Sequence, residues 1–324
     1  MDTKRLYNFI RVVELGSVTK AAQTLYVAQP ALSQQLIALE AHFKTELLIR
    51  SATGVVPTAA GWELYRFAQR MLQLEASAMA RVSGASAMLT GEVKVGLSPG
   101  TASMLFAPKL LTIAKQKFPA VSVVVDDSLS ATLSPRVARG TLDFAILNPA
   151  GGAAGAELLP LFHEDLMLVV SQEHYPQFRL HEAVRFDDIK TLDWIIPKAP
   201  HAMRQAVERY FGTFGMEPVV RLELQSLLTI IGAVQAGLGA TLLPTSMVGL
   251  CIDRQRFFTC RVESPNIERT IALCFAPDLP LVEAAAALRE ALLWAVRDHV
   301  AAADQRLMRP AATLLGLAEP AVQA

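Results

Sequence analysis

The chain has 324 residues, and at about 100–200 residues per domain that length predicts two or three domains rather than one. Apolar residues at 52% and charged residues at 19% exclude intrinsic disorder and leave material for more than one core. Thirty basic and thirty acidic side chains cancel, but residues 1–90 hold nine and six while the rest hold twenty-one and twenty-four, so a +3 segment precedes a −3 segment and neutrality does not exclude a polyanion partner.

The first eleven residues carry acidic Asp2 and no uninterrupted apolar run, which is not the pattern of a signal peptide. Leu6, Phe9, Ile10 and Val13 recur at helical spacing and predict an amphipathic helix from Thr3 to Leu15, ended by Gly16. Ser17 can cap a second short helix through Val18, Ala21, Ala22 and Leu25. A third starts at Pro30, where a missing N–H costs nothing, and runs to Phe43 with Leu32, Leu36, Leu39 and Phe43 inward. Short helix, turn and a helix with small polar residues at its start is the helix-turn-helix pattern, whose second helix enters the major groove. Gln29, Pro30, Ser33, Gln34 and Ile37 lie off the inward stripe, and Gln and Ser suit base edges. A plain three-helix bundle with a solvated polar face fits the periodicity equally well. The strand-like runs Leu47 to Arg50 and Val55-Val56 around Thr53-Gly54 add a hairpin wing, from which Arg50 and Thr53 can reach phosphates.

Thr58 opens a long helix from Ala59 to Leu89, with Leu64, Ala68, Met71, Leu74, Ala78, Val82, Ala85 and Leu89 near a 3.5-residue spacing. At about 1.5 Å per residue it is some 45 Å long, too long to bury against so small a unit, and a second copy of itself is the natural partner.

These residues resemble a known family. Gly16-Ser17-Val18-Thr19-Lys20-Ala21-Ala22, Ala28-Gln29-Pro30-Ala31-Leu32-Ser33-Gln34-Gln35, Leu39-Glu40, Leu48-Ile49-Arg50 and Pro57-Thr58-Ala59-Ala60-Gly61 look like the winged helix-turn-helix signature of LysR-type transcriptional regulators, in order and at the right spacing. The family usually has Ser where Ala28 stands and Arg where Gln34 stands; Gln34 and the Ser98 to Ala102 run look more like its nitrogen assimilation control branch. The resemblance adds Thr19 and Thr58 to the DNA-contacting set. It implies promoter DNA as ligand, a homodimer through residues 59–89 that assembles into a tetramer, RNA polymerase as a further partner, a cytoplasmic location, and no catalysis.

From Gly91 the pattern alternates strand-like and helical runs, which predicts a mostly parallel α/β sheet. Expected strands are Val93 to Leu97, Val121 to Val125, Leu142 to Leu147, Leu166 to Val170, Trp194 to Ile196, Val219 to Leu224 and Ile271 to Phe275. Expected helices are Thr101 to Phe118, one opened by Ser134-Pro135, His201 to Gly212, Leu227 to Ala236 and Leu281 to Val300. The uncharged stretch Gln225 to Ile252 is long enough to span a bilayer, but Gly237-Leu238-Gly239 in its middle and Pro244 predict helix, tight turn and buried strand instead. Cys251, Cys260 and Cys274, with no Cys-x-x-Cys pair, predict buried hydrophobes in a reducing compartment. His163, His174, His181 and His201 lack metal-ligand spacing, and neither a metal nor a cofactor is expected.

By resemblance this half is a two-lobed α/β effector domain like periplasmic binding proteins. The expected division is 1–58 for the winged helix-turn-helix, 59–90 for the linker helix, 91–164 plus 269–300 for the first lobe, 165–268 for the second and 301–324 for a tail of no assigned function. Ser98 and Thr101, Ser128 and Ser130, Asn148, and Gln225-Ser226 fall at strand ends or helix starts, where N–H groups attract anions, though ordinary helix caps look the same. The resemblance puts the loops at Ser98 to Thr101, including Gly100, at Ser128 to Ser130 and at the start of the second lobe in the effector cleft, and Pro197 and Ser226 complete that set for a small anionic effector. Gly96-Leu97-Ser98-Pro99-Gly100 also matches the nucleophile elbow of hydrolases, but that chemistry needs the N–H after the serine, which Pro99 lacks.

Overall fold

The computed structural model describes residues 2–51, 54–82, 89–149, 152–153, 155–199, 201–279 and 281–316, without the side chains of 73, 77, 80 and 81. Helix α1 (Thr3–Leu15) starts where the Asp2 carboxylate accepts the Lys4 N–H and ends at Gly16 with φ +60°. Ser17 caps α2 (Val18–Thr24) by accepting the Lys20 N–H. Helix α3 (Gln29–Phe43) carries Pro30 in its first turn and buries Leu32, Leu36 and Leu39. Phe43, expected inward, is 39% exposed: Lys44 turns left-handed and ends the helix there, so the ring projects past the core toward His42. Strands β1 (Leu48–Ser51) and β2 (Gly54–Pro57) pair antiparallel as the wing. Glu40 holds the wing to α3 by accepting the N–H groups of Leu47 and Leu48 at 3.0 and 3.2 Å. A side chain on Gly54 would sit 2.6 Å from the Gly16 carbonyl, so this wing can lie against the end of α1 only with glycine there.

Helix α4 (Ala59–Val82) buries Leu64, Tyr65 and Ala68 in the same core. Beyond them Met71, Leu74, Ala78 and Val82 are exposed, so half of the expected stripe has no partner among the described residues. The described helix runs to Val82; residues 83–88, Ala85 among them, lie outside the described residues, and Leu89 is non-helical and packs on the next core.

Strand β3 (Gly91–Leu97) opens the larger half. A one-and-a-half-turn π-helix, Thr101–Phe106, runs into α5 (Ala107–Lys117), followed by β4 (Val121–Asp127), α6 (Ser130–Ala138), β5 (Phe144–Leu147) and the 15-residue β6 (Glu157–Ser171). Next come β7 (Ala183–Val184), α7 (Phe186–Ile189), β8 (Asp193–Ile196), α8 (Ala202–Gly212), β9 (Val219–Glu223), α9 (Leu227–Gln235), β10 (Thr241–Pro244) and α10 (Thr245–Cys251). The chain returns through β11 (Phe257–Val262), β12 (Glu268–Phe275) and α11 (Glu283–Ala302), and ends in β13 (Met308–Pro310) and α12 (Ala312–Leu315). The uncharged stretch is thus helix, turn with Gly237 at φ +75°, and a wholly buried strand; among the described residues no helix is long and apolar enough to cross a membrane.

The sheet runs β4-β3-β5-β12-β6-β11-β7, with β10 and β13 also on β6 and β8-β9 apart. The expectation of a mostly parallel sheet is corrected to a mixed one: β3/β4, β3/β5, β8/β9 and β11/β7 are parallel, but every partner of β6 is antiparallel. The cause is that β6 crosses between two cores. Its Leu161 and Phe162 belong to one cluster and its Leu166 to Val170 to another, and the returning chain pairs with it in both. Ser134-Pro135 does not open a helix. Helix α6 begins at Ser130, Pro135 lies inside it, and the Ser134 hydroxyl donates to the Ala153 carbonyl at 2.5 Å. The tail, given no role from sequence, adds β13 to β6 over Phe162 to Glu164.

Helix α4 is tied to the first of these cores. Arg70 and Asp143, 8% and 7% exposed, form an ion pair at 2.8 Å, and the second Asp143 oxygen accepts the Lys94 N–H. Arg66 donates to the Ala138 carbonyl, and Arg139 lies over the Trp62 ring at 5.3 Å. Removing one partner of a buried pair leaves the other charge uncompensated. Asp143→Ala should therefore lower unfolding stability in urea by about 3 kcal/mol, and an unchanged midpoint would show the pair is not buried in solution.

Candidate nucleic-acid interface and effector cleft

Two regions gather the expected residues. At the start of α3 the Gln29 amide donates to Ser33 Oγ at 3.2 Å, which sets the two side chains on one face; Gln29, Pro30 and Gln34 are exposed, as is Thr19 on α2. Ile37 is 55% exposed on the same helix, an apolar group suited to a thymine methyl. The rotation of α3 is fixed from behind, where buried Asn8 donates to Gln35 at 2.6 Å. Arg50 projects from the wing, held only at 3.5 Å by Glu40. Thr58 is corrected: its hydroxyl donates to the Glu46 carbonyl and accepts the Gly61 N–H, so it caps α4 and has no donor left for DNA. Thr53 lies outside the described residues. Sequence periodicity overlooked Tyr26, 95% exposed with φ +55° in the turn before α3; the one signal was an aromatic in a turn between short helices.

The second region is a cavity of about 50 Å³ lined by Ser98, Ser130 and Asn148, with Pro99, Leu129 and Ala131, on one side and His201, Ala202 and Gln205 on the other, with Arg269 the one charged group among the described lining residues. Two helix starts, Ser130 of α6 and His201 at the cap of α8, meet across it, so partial positive charge joins the guanidinium. Neither the Ser98 hydroxyl nor the Gln205 amide donates to or accepts from any described residue.

Arg269 is held from below. Its Nε and Nη2 donate to Glu164 Oε1 at 3.0 and 2.8 Å, and Glu164 is wholly buried. Thr101 Oγ1 also donates to Glu164 Oε1 at 2.7 Å, and Ser246 Oγ to Glu164 Oε2 at 2.6 Å. Two donors of the guanidinium are thereby spent on the carboxylate, and Nη1 has no hydrogen-bond partner among the described residues.

That network corrects several expectations. Thr101 is fully buried in it and does not line the cavity; Gly100 lies behind, its would-be side chain 4.0 Å from Met247 and Arg269. Ser128 donates to Asp126, itself paired with Arg136. Pro197 is buried at the end of β8, and Ser226 is exposed at the start of α9 away from the cavity lining. Arg269, His201 and Gln205 went unnoticed in the sequence. The signal was there for one of them: an arginine entering an apolar strand needs a buried acid, and Glu164-Asp165 interrupts the apolar run of β6.

His201 Nδ1 accepts the Met203 N–H at 3.1 Å, which places the neutral ring's proton on Nε2. Burial, and secondarily the Arg269 charge, hold His201 below the ordinary histidine range. Replacing both members of the pair, Arg269→Gln with Glu164→Gln, removes that charge without orphaning an acid, and NMR titration should then find His201 closer to 6.5. An unmoved value would place Arg269 too far away to matter.

Comparisons with known proteins place these features. A model of the bacterial regulatory helix-turn-helix of the LysR family matches residues 3–62, and one of the LysR substrate binding domain matches residues 86–296. The nitrogen assimilation regulatory protein nac of Klebsiella aerogenes is 32% identical over 293 residues, covering 90% of this chain and 94% of the relative. A cysteine mutant of OxyR from Corynebacterium glutamicum has a similar structure, with TM-score 0.59, 25% identity and 92% of both chains covered. Full-length CbnR in complex with its target DNA shares the fold at TM-score 0.55 and 23% identity, over 91% of this chain and all of that one.

Proposed function

The chain belongs to the LysR family of bacterial transcriptional regulators, and from that premise we propose that it reads promoter DNA through Gln29, Ser33, Gln34 and Ile37 on α3, with Thr19 and the wing Arg50 on phosphates, while a small anion between the lobes sets its activity. The observation that carries the effector half is Arg269, a fixed guanidinium on the cavity floor facing two helix starts. The reader works as a pair joined by the exposed stripe of α4, because a +3 segment alone has little hold on a polyanion. Pairs assemble into a tetramer in the cytoplasm, with RNA polymerase as the downstream partner. The working division follows the sequence expectation, 1–58, 59–90, 91–164 with 269–300, and 165–268.

The protein acts by binding rather than by catalysis. Ser98 and His201 share the cavity, but Pro99 offers no N–H for an oxyanion, and His201 with its proton on Nε2 cannot take one from a hydroxyl there. A second reading, a regulator that needs no effector, is favoured by the size of the cavity, which at about 50 Å³ holds only a few water-sized groups unless the lobes part.

Band-shift titrations on matched and scrambled duplexes test the reader: Gln29→Ala should cut discrimination about tenfold, while Arg50→Ala weakens binding to both alike. Equal loss on both for Gln29→Ala removes its base-reading role. A thermal-shift screen of small carboxylates tests the cleft. At about ten times the Kd a binder should raise Tm by roughly 3 °C, and the rise should vanish when Arg269 and Glu164 are both Gln. Because His201 is neutral at pH 7 and charges only below 6.5, anion affinity should grow as pH falls through that range. No stabilisation by any acid at any pH supports the effector-independent reading.

A further inference from the structure

A second cavity lies on the far side of the Glu164 network. It holds about 300 Å³ between the π-helix (Leu105), α10 (Ser246, Gly249, Leu250) and the end of α11 with the tail (His299, Met308). Its walls are carbon apart from groups already committed: Ser246 donates to Glu164, Thr245 to the Asp165 carbonyl at 2.9 Å, and Asp304 on the rim is bound by Arg306 at 2.8 Å. His299 differs. Its ring meets Phe106 edge-on at 6.0 Å, but neither ring nitrogen hydrogen-bonds to any described residue. Burial, and then the Lys109 charge, keep this imidazole below the ordinary histidine range, so at neutral pH it is an uncharged donor and acceptor.

We propose that this pocket is a second small-molecule site, separate from the interlobe cleft, which takes a neutral one-ring aromatic compound with a single hydroxyl bound by His299. An apolar cavity of about 150 Å³ accommodates benzene, so 300 Å³ accepts a ring with a short substituent. An anion is excluded because the lining offers no cation and Asp304 on the rim repels it, and a cation is disfavoured because the Asp304 charge is already paired with Arg306. The occupant touches α10 of the second lobe and α11 of the first, so it favours the juxtaposition of lobes seen here. It also presses on Ser246, one of the donors that hold Glu164 beneath Arg269. None of this depends on whether the cleft itself binds an anion.

The probes are benzyl alcohol and toluene, titrated onto the full chain and followed by ligand-observed NMR. Gly249 lies in α10 on the pocket lining, and a Cβ there would meet no atom within 4 Å, so Gly249→Leu and Gly249→Val are the two variants designed to occupy the pocket. Both probes should bind saturably to the parent and to neither filled variant, with melting temperatures not lowered. His299→Leu should weaken benzyl alcohol about fivefold, the worth of one hydrogen bond, and leave toluene as before. Absence of saturable binding, binding that survives both filled variants, or equal loss of both probes in His299→Leu overturns the proposal.

Discussion

The larger half of the molecule is organised by one carboxylate. Glu164 has no exposure to water and sits where β6 leaves one core for the other. A buried carboxylate is tolerated only if it is paired and its lone pairs are filled. Four groups fill them: Arg269 from β12, Thr101 from the π-helix, and the hydroxyl and N–H of Ser246 from α10. Meeting that demand fixes the register of β12 against β6, with Arg269 opposite Glu164, and brings an element of each lobe to one point. The cation on the floor of the cleft is a consequence of the same demand. On the neighbouring residue Asp165, Arg309 of the tail and Asn266 do a parallel job, and Arg309 reaches Glu268 as well, so the two crossing strands are clasped by a segment that had no assigned role.

Where contacts are local, the sequence was easy to read. Gly16, Ser17 and Pro30 mark helix ends by backbone chemistry that acts within four residues, and α1 to α3 lie where those residues put them. The Gly237-Leu238-Gly239 turn was legible for the same reason. What was hidden depends on residues far apart in the chain. Strands β11 and β13 exist because β6 offers them edges, and nothing in their own residues says so. Thr101 looked like an anion-facing cap until Glu164, 63 residues on, claimed its hydroxyl. His201, 103 residues from Ser98, and Arg269, 105 residues from Glu164, enter the cavity only through the crossing of the lobes. Phe43 shows the local limit of periodicity, since a stripe says which way a side chain points but not whether a core remains at the helix end.

The reader and the sensor are joined by more than a covalent linker. The Arg70 to Asp143 pair and the Arg66 contact at Ala138 place the middle of α4 against the first lobe, while Met71, Leu74, Met79 and Val82 are exposed. One helix therefore has two surfaces, one packed within the chain and one exposed, which is the face the proposed pairing uses. A shift that moved Asp143 would be felt along α4 and so at α3, and the neutral chain divides its charge between the two ends of that helix, +3 in residues 1–90 and −3 in the rest.

The account stands on coupling between the cleft and the duplex. Its most direct test is the affinity of the full chain for a duplex selected from a random pool, measured with and without a saturating carboxylate that stabilises the protein. The account predicts that the anion changes duplex affinity at least fivefold, within the usual span of allosteric coupling of about 1–3 kcal/mol, and that the change disappears when Arg269 and Glu164 are both replaced by Gln. Identical affinity with and without the bound anion in the parent chain would contradict it.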